Sequence, residues 1–354
     1  MLQSEIKASF CELGKFLSQF SENNTFQNEK VLHNELFYDA FKDLIQLSQS
    51  HNGWFTPENV YFSIQSWSNA LTEDNFEKWL KNYDFNNLKS KTIGLILAGN
   101  IPLVGFHDFL AVLICGHKVL VKTSSNDQKL LPFLSSYLIA INPKFKDYIT
   151  FTDEKLQNFD AIIATGSNNS ARYFDFYFKN KPSIIRKNRN SIAVLSGSES
   201  QEQLVALGHD IFRYFGLGCR NVSKLFVPEN YDFKIFFEAI FQFKDVIYYP
   251  KYANNYDYNK AVFLMSNFKL LDNEFLTLKE DSSHASPISS VFYEFYEDLN
   301  KLRLRLESEK EQIQCLVSDD LFENSIQFGA TQNPQLWDYA DNVDTINFLI
   351  HLSD

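Results

Sequence analysis

Three short, continuous apolar runs alternate with segments of helical length between residues 92 and 178, and this alternation restricts the fold more than any other feature. The runs cover residues 92–98, 118–121 and 160–165, and the helical segments cover residues 103–115, 127–141 and 170–178. Continuous apolar runs are typical of strands that are buried on both faces. Strands that alternate with helices of this length predict βαβ units in a parallel sheet. We therefore expect an α/β fold built on such a sheet.

The segments on either side predict further elements and a division into four parts. Residues 1–90 have the apolar spacing of helices, and a short helix at 74–80 would have Asp74 as its N-cap. Later in the chain, strands are predicted at 191–195, 224–227 and 290–293, and helices at 201–215 and 296–314. The four predicted parts are a helical N-terminal region (1–90), a nucleotide-binding domain (91–190), a catalytic domain (191–316) and a C-terminal segment that returns to the core (317–354).

Polar residues follow each of the three strands at the point where the strand ends. Asn100 follows the first strand, residues 122–125 follow the second, and residues 166–169 follow the third. Ligands of open α/β sheets bind beyond the carboxyl ends of the strands. The sequence therefore predicts a binding site at this edge of the sheet.

The turn Gly166–Ser167 opens a predicted helix and has the features of a phosphate site. Backbone N–H groups and a hydroxyl at a helix N-terminus favour an anion, and Lys122 would add a positive charge. The alternative is an ordinary helix N-cap made by Ser167 or Asn168. No G-x-G-x-x-G motif follows any strand, so the standard dinucleotide fingerprint is missing.

Cys219 follows a Gly-x-Gly turn, Gly216-Leu217-Gly218, and precedes a strand-like run. Because glycine allows a sharp turn and a close approach of substrate, a thiol at this place suits a covalent nucleophile. The alternative is a small, buried hydrophobic residue, which is the more common role of a cysteine. His209 lies ten residues earlier on the predicted helix, and we interpret it as structural.

Composition excludes several classes of protein. The net charge of −11 argues against a nucleic-acid or membrane-binding surface, and four widely spaced cysteines predict neither a metal site nor disulfides. No signal peptide or spanning apolar run is present, so we expect a soluble, cytoplasmic protein.

The 35 Phe and 17 Tyr residues fit either an aromatic core or a lipid-binding tunnel. The cations Arg186, Lys187 and Arg189 would either flank an anionic substrate or form a solvated crossing between domains.

Taken together, these pieces resemble the aldehyde dehydrogenase superfamily and, within it, the acyl-CoA reductases that supply fatty aldehyde to bacterial luciferase. The motifs that carry the resemblance are residues 99–103, 121–125, 215–224, 278–281, 285–288 and 335–341. The resemblance implies an aldehyde-dehydrogenase-like fold, with a Rossmann-type parallel-sheet cofactor domain, an α/β catalytic domain and a helical N-terminal region.

The resemblance also implies roles for individual residues. Cys219 matches the nucleophile that forms a thioester, and Asn100 matches the amide that makes the oxyanion hole with the Cys219 N–H. The implied cofactor-binding residues are Lys122, Ser124 and Ser125 after the second strand, Gly166 and Ser167 after the third, and Glu280 at the nicotinamide ribose.

Two departures from the superfamily pattern indicate the reaction. Ser125 stands where NAD-preferring members have a glutamate, and the loss of that charge favours NADPH as the cofactor. The glutamate base of the hydrolytic members is missing before residue 191, so the acyl-cysteine would more readily exchange with a thiol or accept a hydride than be hydrolysed. The resemblance therefore implies an NADPH-dependent oxidoreductase that reduces a long-chain fatty acyl-CoA to the aldehyde through an acyl-cysteine, with CoA as a product.

Alternatives stay open at this point. They are a CoA-acylating aldehyde dehydrogenase that uses NAD, a cysteine acyltransferase or thioesterase without redox activity, and a carrier in which Cys219 is buried. The sequence does not give the acyl chain length, the direction of the reaction, the enzyme that supplies the acyl group, or whether the chain forms a homo-oligomer.

Overall fold

The computed structural model describes residues 1–22, 27–86 and 88–352, apart from the side chain of Asn168. The chain divides into two compact units, of which the first contains residues 1–187 and those from 335 onward, and the second contains residues 188–334. The division into four parts stays a prediction.

The first unit is built on a five-stranded sheet in the order β3-β2-β1-β4-β5, in which every pair of neighbours is parallel. The three strands expected from the apolar runs are β1, β2 and β4, so the predicted βαβ sheet is confirmed. Its elements in chain order are α1 (Gln3–Leu17), α2 (Asn34–His51), α3 (Pro57–Ala70), α4 (Glu73–Leu80), β1 (Thr92–Ile96), α5 (Phe106–Ile114), β2 (Lys118–Lys122), α6 (Leu130–Ile141), β3 (Ile149–Phe151), β4 (Ala161–Thr165), α7 (Asn168–Tyr177) and β5 (Ser183–Arg186).

The expected N-cap of α4 is wrong by two residues. Thr72, not Asp74, caps this helix, and its hydroxyl accepts a hydrogen bond from Asn75 N at 3.3 Å. Thr72 has the extended backbone of an N-cap, whereas Asp74 lies in the first turn. There its negative charge is favourable because it faces the positive end of the helix dipole.

The N-terminal helices and the sheet share one hydrophobic core in which aromatic side chains are prominent. Phe16 of α1 stacks on Tyr137 of α6 with 4.2 Å between ring centroids, and Phe10 packs edge-on against Phe106 of α5. All four rings are almost completely inaccessible to solvent. In this unit, aromatic residues therefore serve as core, as the first of the two compositional interpretations expects.

The second unit contains a six-stranded sheet in the order β11-β6-β7-β10-β9-β8, parallel except for the antiparallel pair β8 and β9. Its elements are β6 (Asn190–Val194), α8 (Gln201–Phe212), β7 (Val222–Pro228), α9 (Phe233–Ile240), α10 (Pro250–Met265), β8 (Leu270–Asp272), β9 (Thr277–Glu280), β10 (Ser290–Tyr296), α11 (Leu299–Ser308) and β11 (Ile313–Val317).

The helix expected at residues 296–314 is wrong at both ends. Tyr296 belongs to β10, and α11 ends at Ser308. Residues 313–317 form β11, which pairs with β6 and in which Ile313, Gln314, Cys315 and Val317 are buried.

The chain returns to the first unit at residue 335. The helix α12 (Thr345–Ile350) follows, and Leu336, Ile346 and Leu349 are buried in the core of that unit. Tyr339 accepts a hydrogen bond from Trp79 Nε1 at 2.7 Å, which ties this segment to α4. Among the described residues, no helix is both long enough and apolar enough to cross a bilayer.

Candidate active site

The parallel sheet of the first unit aligns the ends of β1, β2 and β4. Ile96 pairs with Lys122 on one side and with Ala164 on the other, so the loops that follow these strands begin at the same level. A side chain at Gly99 would place its Cβ 2.6 Å from Cβ of Ser124, so only glycine allows these two loops to approach so closely. The structure therefore brings the predicted residues of the first unit to one sheet edge.

The predicted cofactor residues at the end of β2 and in the loop after it are accessible. Lys122 is partly exposed, and its ammonium donates to the backbone oxygen of Glu154 at 3.2 Å. Ser124 accepts a hydrogen bond from Asn126 N at 3.2 Å, and Ser125 is exposed. An ammonium and two hydroxyls make this loop suited to the ribose and phosphate groups of a dinucleotide.

Ser167 is the N-cap of α7, and its hydroxyl accepts a hydrogen bond from Ser170 N at 3.2 Å. An added Cβ at Gly166 would lie 2.8 Å from Cβ of Ser170, so the first turn of the helix requires a glycine before the cap. The capping interpretation of this turn therefore holds. It leaves the positive end of a ten-residue helix at the sheet edge, a position that favours an anion.

Cys219 lies in the second unit on an exposed turn between α8 and β7. Three consecutive residues before it, Tyr214, Phe215 and Gly216, have left-handed φ values of 54°, 58° and 75°. Two of these are bulky aromatic residues, for which this conformation is strained. Their side chains are buried, so tertiary packing holds the strained turn that presents the thiol.

Asn221 anchors the Cys219 turn from within and was not predicted from the sequence. Its side-chain oxygen accepts from Gly218 N at 2.8 Å, and its amide donates to the backbone oxygens of Asp210 and Arg213 at 2.9 and 2.8 Å. Asn221 is 2% exposed, so these bonds are shielded from water. The amide fixes the turn to the end of α8.

A second anchor comes from residues 329–331, which lie against α8. The carboxylate of Asp210 accepts from Gly329 N at 2.7 Å and from the Thr331 hydroxyl at 2.7 Å. Arg220, next to Cys219, donates to the backbone oxygen of Thr331 at 2.5 Å. Burial raises the pKa of Asp210, and its hydrogen bonds with Thr331 and Gly329 oppose that shift.

Glu280 ends β9 and is exposed. It lies opposite Tyr293 of β10, which in turn pairs with Leu225 of β7. Glu280 borders a cleft of about 490 Å³ whose other lining residues are Asn267, Phe268, Lys269, Asp281, Ser282 and Glu294. Its role at a nicotinamide ribose stays a prediction.

The loop after Glu280 is held by β7. Lys224, whose side chain is completely buried, donates to the backbone oxygen of Asp281 and pairs with Glu294 at 3.1 Å. Ser223 donates to the backbone oxygen of His284 at 2.7 Å. Burial lowers the pKa of Lys224, and the hydrogen bond with Glu294 opposes this. Two residues of the strand that follows Cys219 therefore fix the course of this loop.

Lys187 is exposed at the end of the first unit, which agrees with a solvated crossing. Arg186 departs from both interpretations of the cations at residues 186–189. It is 4% exposed and pairs with Asp108 of α5 at 2.6 Å, so it neither faces a substrate nor lies in a solvated crossing. It also donates to the backbone oxygen of Ala340 at 2.7 Å and to the hydroxyl oxygen of Thr345 at 3.0 Å. Arg186 thus joins α5 to the returning C-terminal segment.

A profile of the acyl-CoA reductase (LuxC) family matches residues 28–285, which is more than half of the chain. The chain belongs to this family. Long-chain acyl-protein thioester reductase 2 from Photobacterium leiognathi is 22% identical over 214 residues, which cover 55% of this chain and 44% of the relative. This LuxC-family chain therefore spans less than half of the length of that curated relative.

The solved structures that it resembles are aldehyde dehydrogenases. Aldehyde dehydrogenase 21 from Physcomitrella patens, in complex with succinate, has a TM-score of 0.63 at 13% identity and matches 90% of this chain and 73% of its own. A mutant of aldehyde dehydrogenase C from Pseudomonas syringae, in complex with NAD⁺ and octanal, has a TM-score of 0.61 at 12% identity with the same two coverages. The expected aldehyde-dehydrogenase-like fold is confirmed.

Proposed function

We propose that this LuxC-family chain reduces a long-chain fatty acyl-CoA to the aldehyde, with NADPH as the hydride donor and an acyl-Cys219 thioester as the intermediate. The observation that carries the proposal is the exposed thiol of Cys219 on a strained and doubly anchored turn. A thiol in this position is accessible to a substrate, whereas a structural cysteine is usually buried.

In the proposed reaction, the Cys219 sulfur attacks the thioester carbonyl of the acyl-CoA and a new carbon–sulfur bond forms. The Asn100 amide and the Cys219 N–H donate hydrogen bonds to the oxyanion, and one such donor typically contributes about 10²–10³ in rate. The intermediate collapses when the bond to the CoA sulfur breaks, and CoA leaves with the proton from the Cys219 thiol.

The residues proposed to hold the cofactor are Lys122 at the end of β2, Ser124 and Ser125 after it, Gly166 and Ser167 before α7, and Glu280 at the end of β9. A bound NADPH supplies the hydride that, with one proton, converts the acyl-cysteine to the aldehyde and restores the thiol. Ser125 supports NADPH over NADH because a carboxylate at this place would repel the 2′-phosphate.

A second candidate differs in the acyl donor. The relative from Photobacterium leiognathi is named as an acyl-protein thioester reductase, which favours an acyl group carried on a protein. The same attack by Cys219 would then release a protein thiol in place of CoA.

The test compares wild type with Cys219→Ala by intact-protein mass spectrometry after incubation with acyl-CoAs of increasing chain length and then with NADPH. Wild type is expected to gain the mass of one acyl group and to lose it, with release of aldehyde, when NADPH is added. Cys219→Ala is expected to remain unmodified and still to bind NADPH. Full reductase activity in this variant would disprove the proposed mechanism.

Lys122→Ala is the matched variant for the reduction step, which needs NADPH. It is expected to weaken NADPH binding while acylation by acyl-CoA continues. Release of free fatty acid without any effect of NADPH would favour a thioesterase. Faster reaction with NAD, CoA and aldehyde than with NADPH and acyl-CoA would favour a CoA-acylating aldehyde dehydrogenase.

A further inference from the structure

The loop between β1 and α5, residues 97–105, is held tightly along its length. Gly99 lies against Ser124, and an added Cβ at Gly105 would lie 2.6 Å from the Leu97 side chain. Leu103 has a φ of 57°, a left-handed conformation that is strained for a leucine. Asn100 is exposed near the start of this loop. The position of its side chain therefore depends on a backbone that needs external support.

That support acts on both ends of one peptide group. The hydroxyl of Ser63, on α3, donates to the Pro102 oxygen at 2.9 Å. The carboxylate of Asp127, after β2, accepts from Leu103 N at 3.1 Å. The Pro102 oxygen and the Leu103 N–H belong to the same peptide plane, so rotation of this plane would break both hydrogen bonds at once. Ser63 is 3% exposed, which shields its bond from water.

Support of the loop by the Asp127 carboxylate costs free energy, because the carboxyl is buried. Burial of its carboxyl raises the pKa to about 6, and the bonds from Leu103 and Leu130 N–H only partly oppose this. A serine or an asparagine could accept a backbone hydrogen bond without the cost of a desolvated charge. The carboxylate is also the stronger acceptor, which favours one fixed orientation of the peptide.

We propose that Ser63 and Asp127 form a peptide clamp that fixes the Pro102–Leu103 peptide and thereby positions the Asn100 amide for the oxyanion. This inference rests on the proposed function of Asn100. Ser63 and Asp127 are positioning residues in this proposal, because they act on the reaction through the loop.

The test measures the rate constant of Cys219 acylation by a saturating acyl-CoA in rapid-quench mass spectrometry. Asp127→Ala and Ser63→Ala are each expected to lower this rate constant by about 10- to 100-fold, because small misplacements of a catalytic group cost this much. Asp127→Asn keeps an oxygen acceptor for Leu103 N and should recover most of the lost rate. The dissociation constant of NADPH for Ser63→Ala should stay close to that of wild type.

Asp160→Ala is the control, because the Asp160 carboxylate accepts a backbone hydrogen bond from Thr92 N at 2.8 Å, at the opposite end of β1. It should acylate at the wild-type rate. In an Asn100→Ala background, removal of Asp127 should cause no further loss, since the residue through which it acts is already absent.

The outcomes separate this inference from the proposed function. If Asn100→Ala slows acylation and the two clamp variants do not, the clamp is wrong and the role of Asn100 stands. An equal loss from Asp127→Ala with and without Asn100 would also overturn the clamp. If Asn100→Ala acylates at the wild-type rate, the proposed oxyanion role fails, and the clamp fails with it.

Discussion

The two loops proposed to carry the reaction, residues 97–105 in the first unit and 213–221 in the second, both contain strained left-handed residues but are held in opposite ways. The first is gripped from outside, by Ser63 of α3 and Asp127 of the next loop. The second is held largely from within, by Asn221, whose amide bonds four backbone groups between residues 210 and 218.

This difference indicates what each loop depends on. A turn held by its own buried amide depends mainly on that residue and the end of α8, with the bond from Arg220 to the Thr331 backbone oxygen as a second support. A loop held by side chains from two other elements depends on the packing of those elements. The helical N-terminal region, which carries no catalytic pattern in the sequence, supplies Ser63 and so supports the loop of Asn100.

The largest expected effect is on the alkylation rate of the Cys219 thiol, which the second loop exposes. Iodoacetamide should alkylate Cys219 at least about 100-fold faster than Cys115 and Cys315, because Cys219 is exposed and the other two are buried. Burial also raises the pKa of Cys115 and of the half-buried Cys11, which lowers their thiolate fraction. Peptide mass spectrometry of the native protein at several labelling times measures the four rates.

Labelling in 8 M urea is the control, since the four thiols should then react at similar rates. Slow alkylation of Cys219 in the native protein would break the comparison, because the internally held turn would then not present its thiol. It would also favour the carrier interpretation of the chain.

The next effect tests the internal anchor. Asn221→Ala leaves three backbone oxygens and the Gly218 N–H without their buried partner, and this should cost roughly 2–3 kcal/mol of unfolding free energy. Acylation of Cys219 should fall by about 10² because the turn is no longer fixed. Urea denaturation and the acylation assay measure the two effects.

The matched control is Asn273→Ala. The Asn273 side chain accepts from Leu276 N at 2.8 Å in the turn between β8 and β9, in the same unit. Its loss should cost about 1 kcal/mol and leave acylation unchanged. Equal effects of the two variants on acylation would mean that Asn221 has no special relation to the Cys219 turn.

The sequence predicts the central sheet well because its signal is local. The strands β1, β2 and β4 are continuous apolar runs, and the structure places each within two residues of the expected bounds. The strands that are missed are short or polar. Residues 277–280, for example, belong to a polar stretch and form no continuous apolar run. In the structure Lys279 is 5% exposed in β9, and its ammonium lies 3.9 Å from the centroid of the Phe268 ring.

In the candidate site as well, residues with a local sequence signal are predicted and residues without one are missed. Cys219 and Asn100 are visible in the sequence because turn residues surround them. Ser63 and Asp127 are not, because their contacts with residues 102 and 103 join positions 39 and 24 residues apart. Asp127 reads only as the start of a helix, and Asn221 as an ordinary residue before a strand. Long-range contacts of single polar side chains leave no periodic pattern in a sequence.

The smallest expected effect is a pH dependence of the unfolding free energy that comes from the carboxyl of Asp127, which supports the loop of Asn100. The folded-state pKa of Asp127, about 6, lies above the ordinary value of 3.8 because the carboxyl is buried. Between these values the folded protein binds more protons than the unfolded chain, so stability falls as pH rises. Relative to Asp127→Asn, wild type should lose about 1 kcal/mol of unfolding free energy between pH 5 and pH 7. Urea denaturation at the two pH values measures this difference.

Ser63→Ala removes the other half of the clamp without removing a titratable group, so its cost in unfolding free energy should be the same at both pH values. If wild type gained stability relative to Asp127→Asn as pH rises, the carboxylate would be stabilised in the fold, not desolvated. The external support would then be held by a favourable charge interaction, and the contrast with the neutral Asn221 anchor would be one of charge as well as of location.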